Sequence, residues 1–233
     1  MSFDTTQWTL VVAAADSQHP GSRDALADLC QSYWYPLYAY LRRRGYPREE
    51  SEDLVQGFFT QLLEKNYLKA ADRERGRFRS FLLASLKNYA ANEWDKKTAH
   101  KRGGATTTLS LDFETAEGRY SIDPADERTP EQEFDRGWAM SQFEHVLERM
   151  RSESGESIER FDLLQGFLTG EGKDVRYKDV AERLHMSEGA VKVAVHRLRQ
   201  RFGTLLREEV ARTLNDTADI DDEIRHLFAA FES

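Results

Sequence analysis

The sequence holds one cysteine, Cys30, and five prolines among 233 residues. A single cysteine makes no internal disulfide, which excludes a disulfide scaffold and fits a reducing, cytoplasmic setting. Cys30 falls on an apolar helical stripe, so it is expected as a buried packing group and not as a nucleophile. No run approaches the ~18 uncharged apolar residues that cross a bilayer, so no membrane span is expected. The longest apolar run near the start, Leu10 to Ala15, has no basic flank ahead of it, and no secretory signal is expected. Also missing are a glycine-rich phosphate cradle, a Cys/His set at metal spacing and a nucleophile motif. These absences point away from an enzyme, a metal, a cofactor and a small-molecule substrate. The acidic run Glu49, Glu50, Glu52 and Asp53 has the composition of a metal site, but it equally suits the positive end of a helix, and no further ligand is in evidence.

A positive overall balance is lacking too. Net charge is −8, with 39% hydrophobic and 32% charged residues, too apolar for wholesale disorder. The distribution is more informative than the total. Residues 73–102 carry nine Lys/Arg against three Asp/Glu, and residues 173–207 carry nine against four. Between them, residues 103–160 carry six Lys/Arg against fourteen Asp/Glu. Two basic blocks separated by an acidic one predict two anion-binding surfaces on separate domains.

What is present is helical periodicity. Apolar residues from Ala25 to Leu41 recur at 3.6-residue spacing over more than four turns, and Gly45 and Pro47 then break the pattern. A second helix is expected from Pro47 to Leu63, then a basic loop over 66–77 and a third helix from Phe78 to about Lys97. Residues 103–130 lose the period, with Gly103, Gly104, Pro124 and Pro130, and predict a flexible acidic linker. Helices follow at about 130–150, 157–169, 177–184, 188–210 and 220–231, with Gly155 as an interruption. No strand alternation, repeat or low-complexity tract is seen. The reading is an all-α chain of two small helical domains: a first domain over 1–102, the linker over 103–130, a second domain over 131–210 and a C-terminal extension over 211–233.

Residues 177–201, YKDVAERLHMSEGAVKVAVHRLRQR, carry the sharpest local pattern. Val180, Ala181 and Leu184 form the inner stripe of a short helix, with Ala181 small enough for a close helix crossing. His185 to Ser187 make the turn, with His185 at a position tolerant of unusual backbone angles, and Ser187 caps the next helix. Val191, Val195 and Leu198 point back to the core. This is helix-turn-helix spacing, in which the second helix enters the DNA major groove. The candidate DNA contacts are Lys178, Ser187, Glu188, Gly189, Ala190, Lys192, Val193, His196, Arg197, Arg199 and Arg201, with the arginines set against phosphates. An ordinary helical hairpin with a solvated basic face has the same pattern.

In the front half, adjacent Phe58 and Phe59 point about 100° apart, so one is expected in the core and the other toward a partner. The helix FRSFLLASLKNYAANEWDKK sets aromatics beside Lys87, Asn88, Asn92, Trp94, Lys96 and Lys97. Rings that stack on bases beside charges that meet phosphates suit single-stranded nucleic acid. Phe78, Phe81 and Tyr89 are read as core residues and Trp94 as the better stacking platform.

With these residues in view, the chain resembles the extracytoplasmic-function (ECF) group of bacterial sigma factors, which keep only regions 2 and 4. The resemblance covers roughly residues 22–102 and 157–210. EESEDLVQGFFTQLLEK looks like the region 2 helix that docks on RNA polymerase, which implies polymerase contacts at Glu49, Glu52, Asp53, Leu54, Gln56, Phe58 and Phe59. FRSFLLASLKNYAANEWDKK and the loop ahead of it look like the segment that melts promoter DNA and pockets a flipped base. They imply DNA contacts at Asn66, Arg75, Arg77, Arg79, Lys87, Asn88, Asn92, Trp94, Lys96 and Lys97. VAERLHMSEGAVKVAVHRLRQR resembles the region 4 helix-turn-helix that reads the upstream element. The resemblance implies core RNA polymerase and promoter DNA as partners, and threads the linker into the polymerase. It leaves open control by an anti-sigma factor, by a regulatory kinase acting at Ser51 or Thr60, or by the C-terminal extension.

The chain departs from the family in places. Gly57 stands where an acidic residue is frequent, Ala190 and Ala194 replace a frequent Thr and Arg, and the Leu-Pro that opens region 4 is missing around Phe161 to Leu164. Promoter preference is therefore not carried over. An ordinary dimeric helix-turn-helix regulator explains residues 177–201 but neither the docking helix nor the second basic block.

Overall fold

The computed structural model describes residues 22–64, 77–99, 120, 128–169, 176–214 and 219–232, apart from the side chains at 22–29, 63–64, 96–99, 156 and 169. Among them every regular element is helical, so the chain is all-α. The helices are α1 (Ser22–Arg43), α2 (Arg48–Glu64), α3 (Phe78–Ala99), α4 (Pro130–Glu153), α5 (Ile158–Leu164), α6 (Gly166–Thr169), α7 (Tyr177–Arg183), α8 (Glu188–Thr213) and α9 (Ile220–Ala229). A short 3-10 turn, Gly155–Ser157, follows α4. None of these helices is long and apolar enough to cross a membrane.

Local chemistry explains the helix ends. At the end of α1, Gly45 takes φ +92°, and its N–H and that of Tyr46 donate back to Arg42 and Leu41 at 3.0 and 3.1 Å. That pair of bonds closes the last turn, and glycine adopts the left-handed angle without a Cβ penalty. At the start of α4 the Thr129 hydroxyl accepts from the Gln132 N–H at 3.2 Å, and the Gln132 side chain accepts from the Thr129 N–H at 2.7 Å. Two otherwise orphaned donors are thereby satisfied, with Pro130 at the first helical position where its missing N–H costs nothing.

The chain clusters into two compact units, one of residues 1–141 and 210–233, the other of residues 142–209. The division differs from the expected one. Residues 131–141 and the C-terminal segment group with the front half and not with the helix-turn-helix, and the boundaries fall inside α4 and α8. The physical reason lies in packing within the first unit. Phe134 and Trp138 of α4 and Leu227 of α9 are fully buried there. Gly137 lets α4 approach α1, since a Cβ at 137 would stand 3.1 Å from Cα of Pro36.

The core of the first unit is built from Tyr33, Leu37, Tyr38 and Leu41 of α1, Val55 and Phe59 of α2, and Phe78, Leu82 and Leu86 of α3. The rings of Tyr33 and Phe78 meet edge to face at 5.5 Å. Burying each such side chain contributes roughly 1.5–3 kcal/mol, so truncating Leu86 or Phe59 would open this core. Cys30 is buried in it, and burial pushes its thiol pKa up to about 12, as suits a packing group. The core of the second unit contains Leu164, Val180, Ala181, Val191, Ala194 and Val195, with Leu184, Met186 and Leu198 packed against it. Those side chains include every position of the inner stripes expected for residues 177–201.

Candidate nucleic-acid interface

In the second unit, α7 and α8 meet through a turn whose backbone is defined bond by bond. His185 takes φ +51°, its N–H donates to Glu182 at 3.3 Å, and the Met186 N–H donates to Ala181 at 2.9 Å. A histidine here does what Gly45 does at the end of α1, and so bears out the expectation of an unusual backbone angle. The Ser187 hydroxyl then accepts the Ala190 N–H at 3.2 Å and caps α8, also as expected.

With Val191, Ala194 and Val195 turned inward, the opposite face of α8 is set. Lys178, Ser187, Glu188, Gly189, Lys192, Val193, His196, Arg197, Arg199 and Arg201 are all exposed, and Ala190 is half-buried. Lys192 stands 5.7 Å above the ring of Tyr177, which stacks on Phe167 at 4.6 Å. An open groove of about 600 Å³ runs beside the start of α8, with Arg160, Phe161, Val193, Arg197 and Arg201 in its walls. Two of the arginines are partly committed inside the unit. Arg201 pairs with Glu153 at 2.7 Å, and Arg199 donates to the Phe167 carbonyl at 3.2 Å.

In the first unit, α3 presents Lys87, Asn88, Asn92 and Trp94 to solvent. Trp94 is 59% exposed, as a stacking platform must be, while Phe78 is buried and Phe81 and Tyr89 are half-buried. Asn88 and Asn92 line a cavity of about 80 Å³ with Phe58, Gln61, Ser85 and Tyr89, so amides and rings converge there. Asn66 and Arg75 lie outside the described residues, as do the side chains of Lys96 and Lys97.

Arg79 is a correction. It is not presented to solvent but 5% exposed. Its guanidinium stands 4.3 Å from the centre of the Trp138 ring, donates to Glu223 at 2.5 Å and lies 3.7 Å from Asp135. Burial lowers its pKa, while Glu223 and Asp135 act to raise it. Arg77 is half-exposed and lies 3.0 Å from Glu223. Lys87 donates to Glu131 at 2.7 Å and lies 5.4 Å from the ring of Tyr40.

On α2, Glu49 and Asp53 are exposed and Gln56 is half-buried, while Glu52 pairs with Arg48 at 2.7 Å. Three expected partner contacts are corrected. Leu54, Phe58 and Phe59 are all buried, so neither phenylalanine faces outward. The reason is that α2 has a helix on two sides. Phe58 reaches the Tyr89 ring of α3 at 5.9 Å, and Phe59 joins the core of the unit. Ser51 is also fully buried and donates to the Pro47 carbonyl at 2.9 Å, which closes it to a kinase in this fold. Thr60 is half-buried and donates to the Gln56 carbonyl at 2.9 Å.

Sequence reasoning missed Glu131, Asp135 and Glu223 as partners of the basic residues. On the chain they are 44 to 146 positions away from those partners, and each sits among other acidic residues of a helix N-terminus. Among the described residues no group of three or more His, Cys, Asp or Glu is placed to hold a metal. A scan against protein-family models finds no match, and searches of the curated proteins and of the solved structures find none either.

Proposed function

We propose that this chain is a sigma-type transcription initiation factor of the ECF kind, a non-enzymatic protein of two small domains joined by a linker. It binds core RNA polymerase in the cytoplasm and directs it to promoter DNA. The observation that carries the reading is that each unit exposes a polar or basic helix face whose chemistry suits nucleic acid. One is the face of α8 with Lys192, Val193, His196 and Arg197, held by the Ser187 cap and the His185 turn. The other is α3, where Asn88 and Asn92 line a small cavity with Phe58, Gln61 and Tyr89, and Trp94 stands exposed further along the helix. A duplex reader needs only the first, whereas a factor that also opens DNA needs the second, where rings and amides meet unpaired bases.

In this reading α8 enters the major groove at the upstream element, and α3 holds the separated strand near the start site. The exposed Glu49 and Asp53 offer a negative edge on α2 for polymerase, with Gln56 beside it. Because the net charge is −8, free protein binds duplex weakly, and polymerase supplies the affinity that brings both faces onto DNA. The experiment is a pull-down with bacterial core RNA polymerase, followed by run-off transcription from a promoter library. Retention on the polymerase with new start sites is expected. A stable homodimer on palindromic DNA, indifferent to polymerase, would replace this reading with that of an ordinary operator-binding regulator.

A further inference from the structure

The first turn of α9 carries Asp221, Asp222 and Glu223, and only Glu223 turns inward, to 1% exposure. Its two oxygens are divided between two arginines. Oε1 accepts from Nη1 of Arg79 at 2.5 Å, and Oε2 lies 3.0 Å from Nη1 of Arg77 without the alignment of a hydrogen bond. Behind them the Trp138 ring and Asp135 hold the Arg79 guanidinium in place. Further along α9 Leu227 is buried, and just past its end Ala230 is buried and the Phe231 ring lies 5.6 Å from the Arg136 guanidinium.

This geometry has a chemical meaning. Two guanidiniums converging on one two-oxygen anion form the arrangement that binds a backbone phosphate. Arg77 immediately precedes, and Arg79 lies in the first turn of, the helix that further along exposes Asn88, Asn92 and Trp94. Lys87, further along that helix, is likewise met by an internal carboxylate, Glu131. Three cations at or on α3, Arg77, Arg79 and Lys87, thus face acids supplied by later parts of the chain.

We propose that Arg77 and Arg79 form a phosphate site for single-stranded nucleic acid, and that Glu223 occupies it as an internal substitute. Helix α9 is then a detachable cap that competes with the DNA strand for the same two arginines. The inference rests on the proposed function, since it regulates the DNA face of the first unit. Arg79 is enclosed by Trp138, Asp135 and the seated cap together, and Arg77, at the edge, is the first point at which a phosphate displaces the carboxylate.

The test measures a fluorescein-labelled oligothymidylate by anisotropy with the full chain, with Glu223→Gln and with a chain ending at Leu214. Both variants are expected to bind about tenfold more tightly than the wild type, with a salt dependence steeper by one to two phosphate contacts. Affinity and salt slope equal to wild type in variants that keep their helical circular dichroism overturn the proposal. Hydrogen exchange on the wild-type chain decides the matter even if a variant loses its fold. Exchange across residues 220–229 should quicken once oligonucleotide is bound, and unchanged protection there means that nothing is displaced. Run-off transcription with core polymerase separates the two claims. If wild type and Glu223→Gln initiate equally and bind the oligonucleotide equally, the cap fails and the sigma reading stands. If neither initiates, the sigma reading fails, and the anisotropy still decides the cap.

Discussion

The hydroxyl of Tyr89 occupies the space that any side chain at position 57 would need. A Cβ built on Gly57 collides with that oxygen and stands 3.3 Å from the ring carbon bearing it. The glycine at this point of α2 is thus explained by its neighbour on α3. Burial raises the Tyr89 phenol pKa to about 12, with Glu93 and Asp53 pushing the same way, so the group is a neutral packing element at ordinary pH. Gly57→Ala is expected to cost about 1–3 kcal/mol, as overpacking does. Tyr89→Phe in the same chain should return much of it, because the colliding atom is gone. Urea denaturation of both single variants and the double variant measures the coupling, and strictly additive costs would show that the two residues do not compete for space.

His185 holds a left-handed backbone angle that costs a non-glycine residue roughly 1–2 kcal/mol. His185→Gly should therefore leave stability unchanged or raise it, while the β-branched His185→Val should lower it by about that amount. Thermal unfolding of the three proteins checks the order. A valine variant as stable as the wild type would show that the turn does not impose the angle.

Asp53 is exposed on α2, with no role in the core. Asp53→Arg is expected to leave the fold intact and to abolish retention on core polymerase, because it reverses the charge at the proposed docking edge. Circular dichroism and a pull-down on the same preparation check both halves. Binding at the wild-type level would falsify the assignment of this face.

Lys192 is exposed on the outward face of α8, above the Tyr177 ring. Lys192→Ala should weaken binding to upstream promoter DNA and reduce the salt slope by about one, the contribution of one phosphate contact. Polymerase affinity should be unaffected. A loss of polymerase binding would place Lys192 in a different interface.

Glu131 and Lys87 make a pH-dependent link within the first unit. The hydrogen bond from Lys87 is the main cause that lowers the Glu131 pKa, and the same bond is the main cause that raises that of Lys87. The depressed carboxyl contributes stability above its ordinary value of 4.5, lost as pH falls through its lower folded value. The raised ammonium contributes below its ordinary value of 10.5, lost as pH rises through its higher folded value. Wild type should thus exceed Glu131→Ala in stability across the interval between those two pH values, and the difference should shrink at both ends. Both side chains are largely exposed, so added salt should shrink it as well. A difference independent of pH would assign the effect to helix propensity and not to the pair.

Much of the fold was legible in the sequence because helices are local. The 3.6-residue stripes of α1, α2 and α3 recur within four positions, and Gly45, Thr129 with Pro130, and Ser187 mark ends through bonds reaching only a few residues. The inner stripe of α7 and α8 followed from the same periodicity, and with it the outward face that bears Lys192 and Arg197. Pairings between distant segments were not written in any local pattern. Phe58 and Phe59 point in different directions, and only the presence of helices on both sides of α2 buries both. Arg79 read as one basic residue among several until Trp138, Asp135 and Glu223 enclosed it. The sequence by itself determined which faces are apolar and which are charged, since side-chain direction follows from helical geometry. Which carboxylate meets which cation, and which charge is thereby withdrawn from solvent, was decided only by tertiary packing, because Coulomb attraction and burial depend on distance in space and not on distance along the chain.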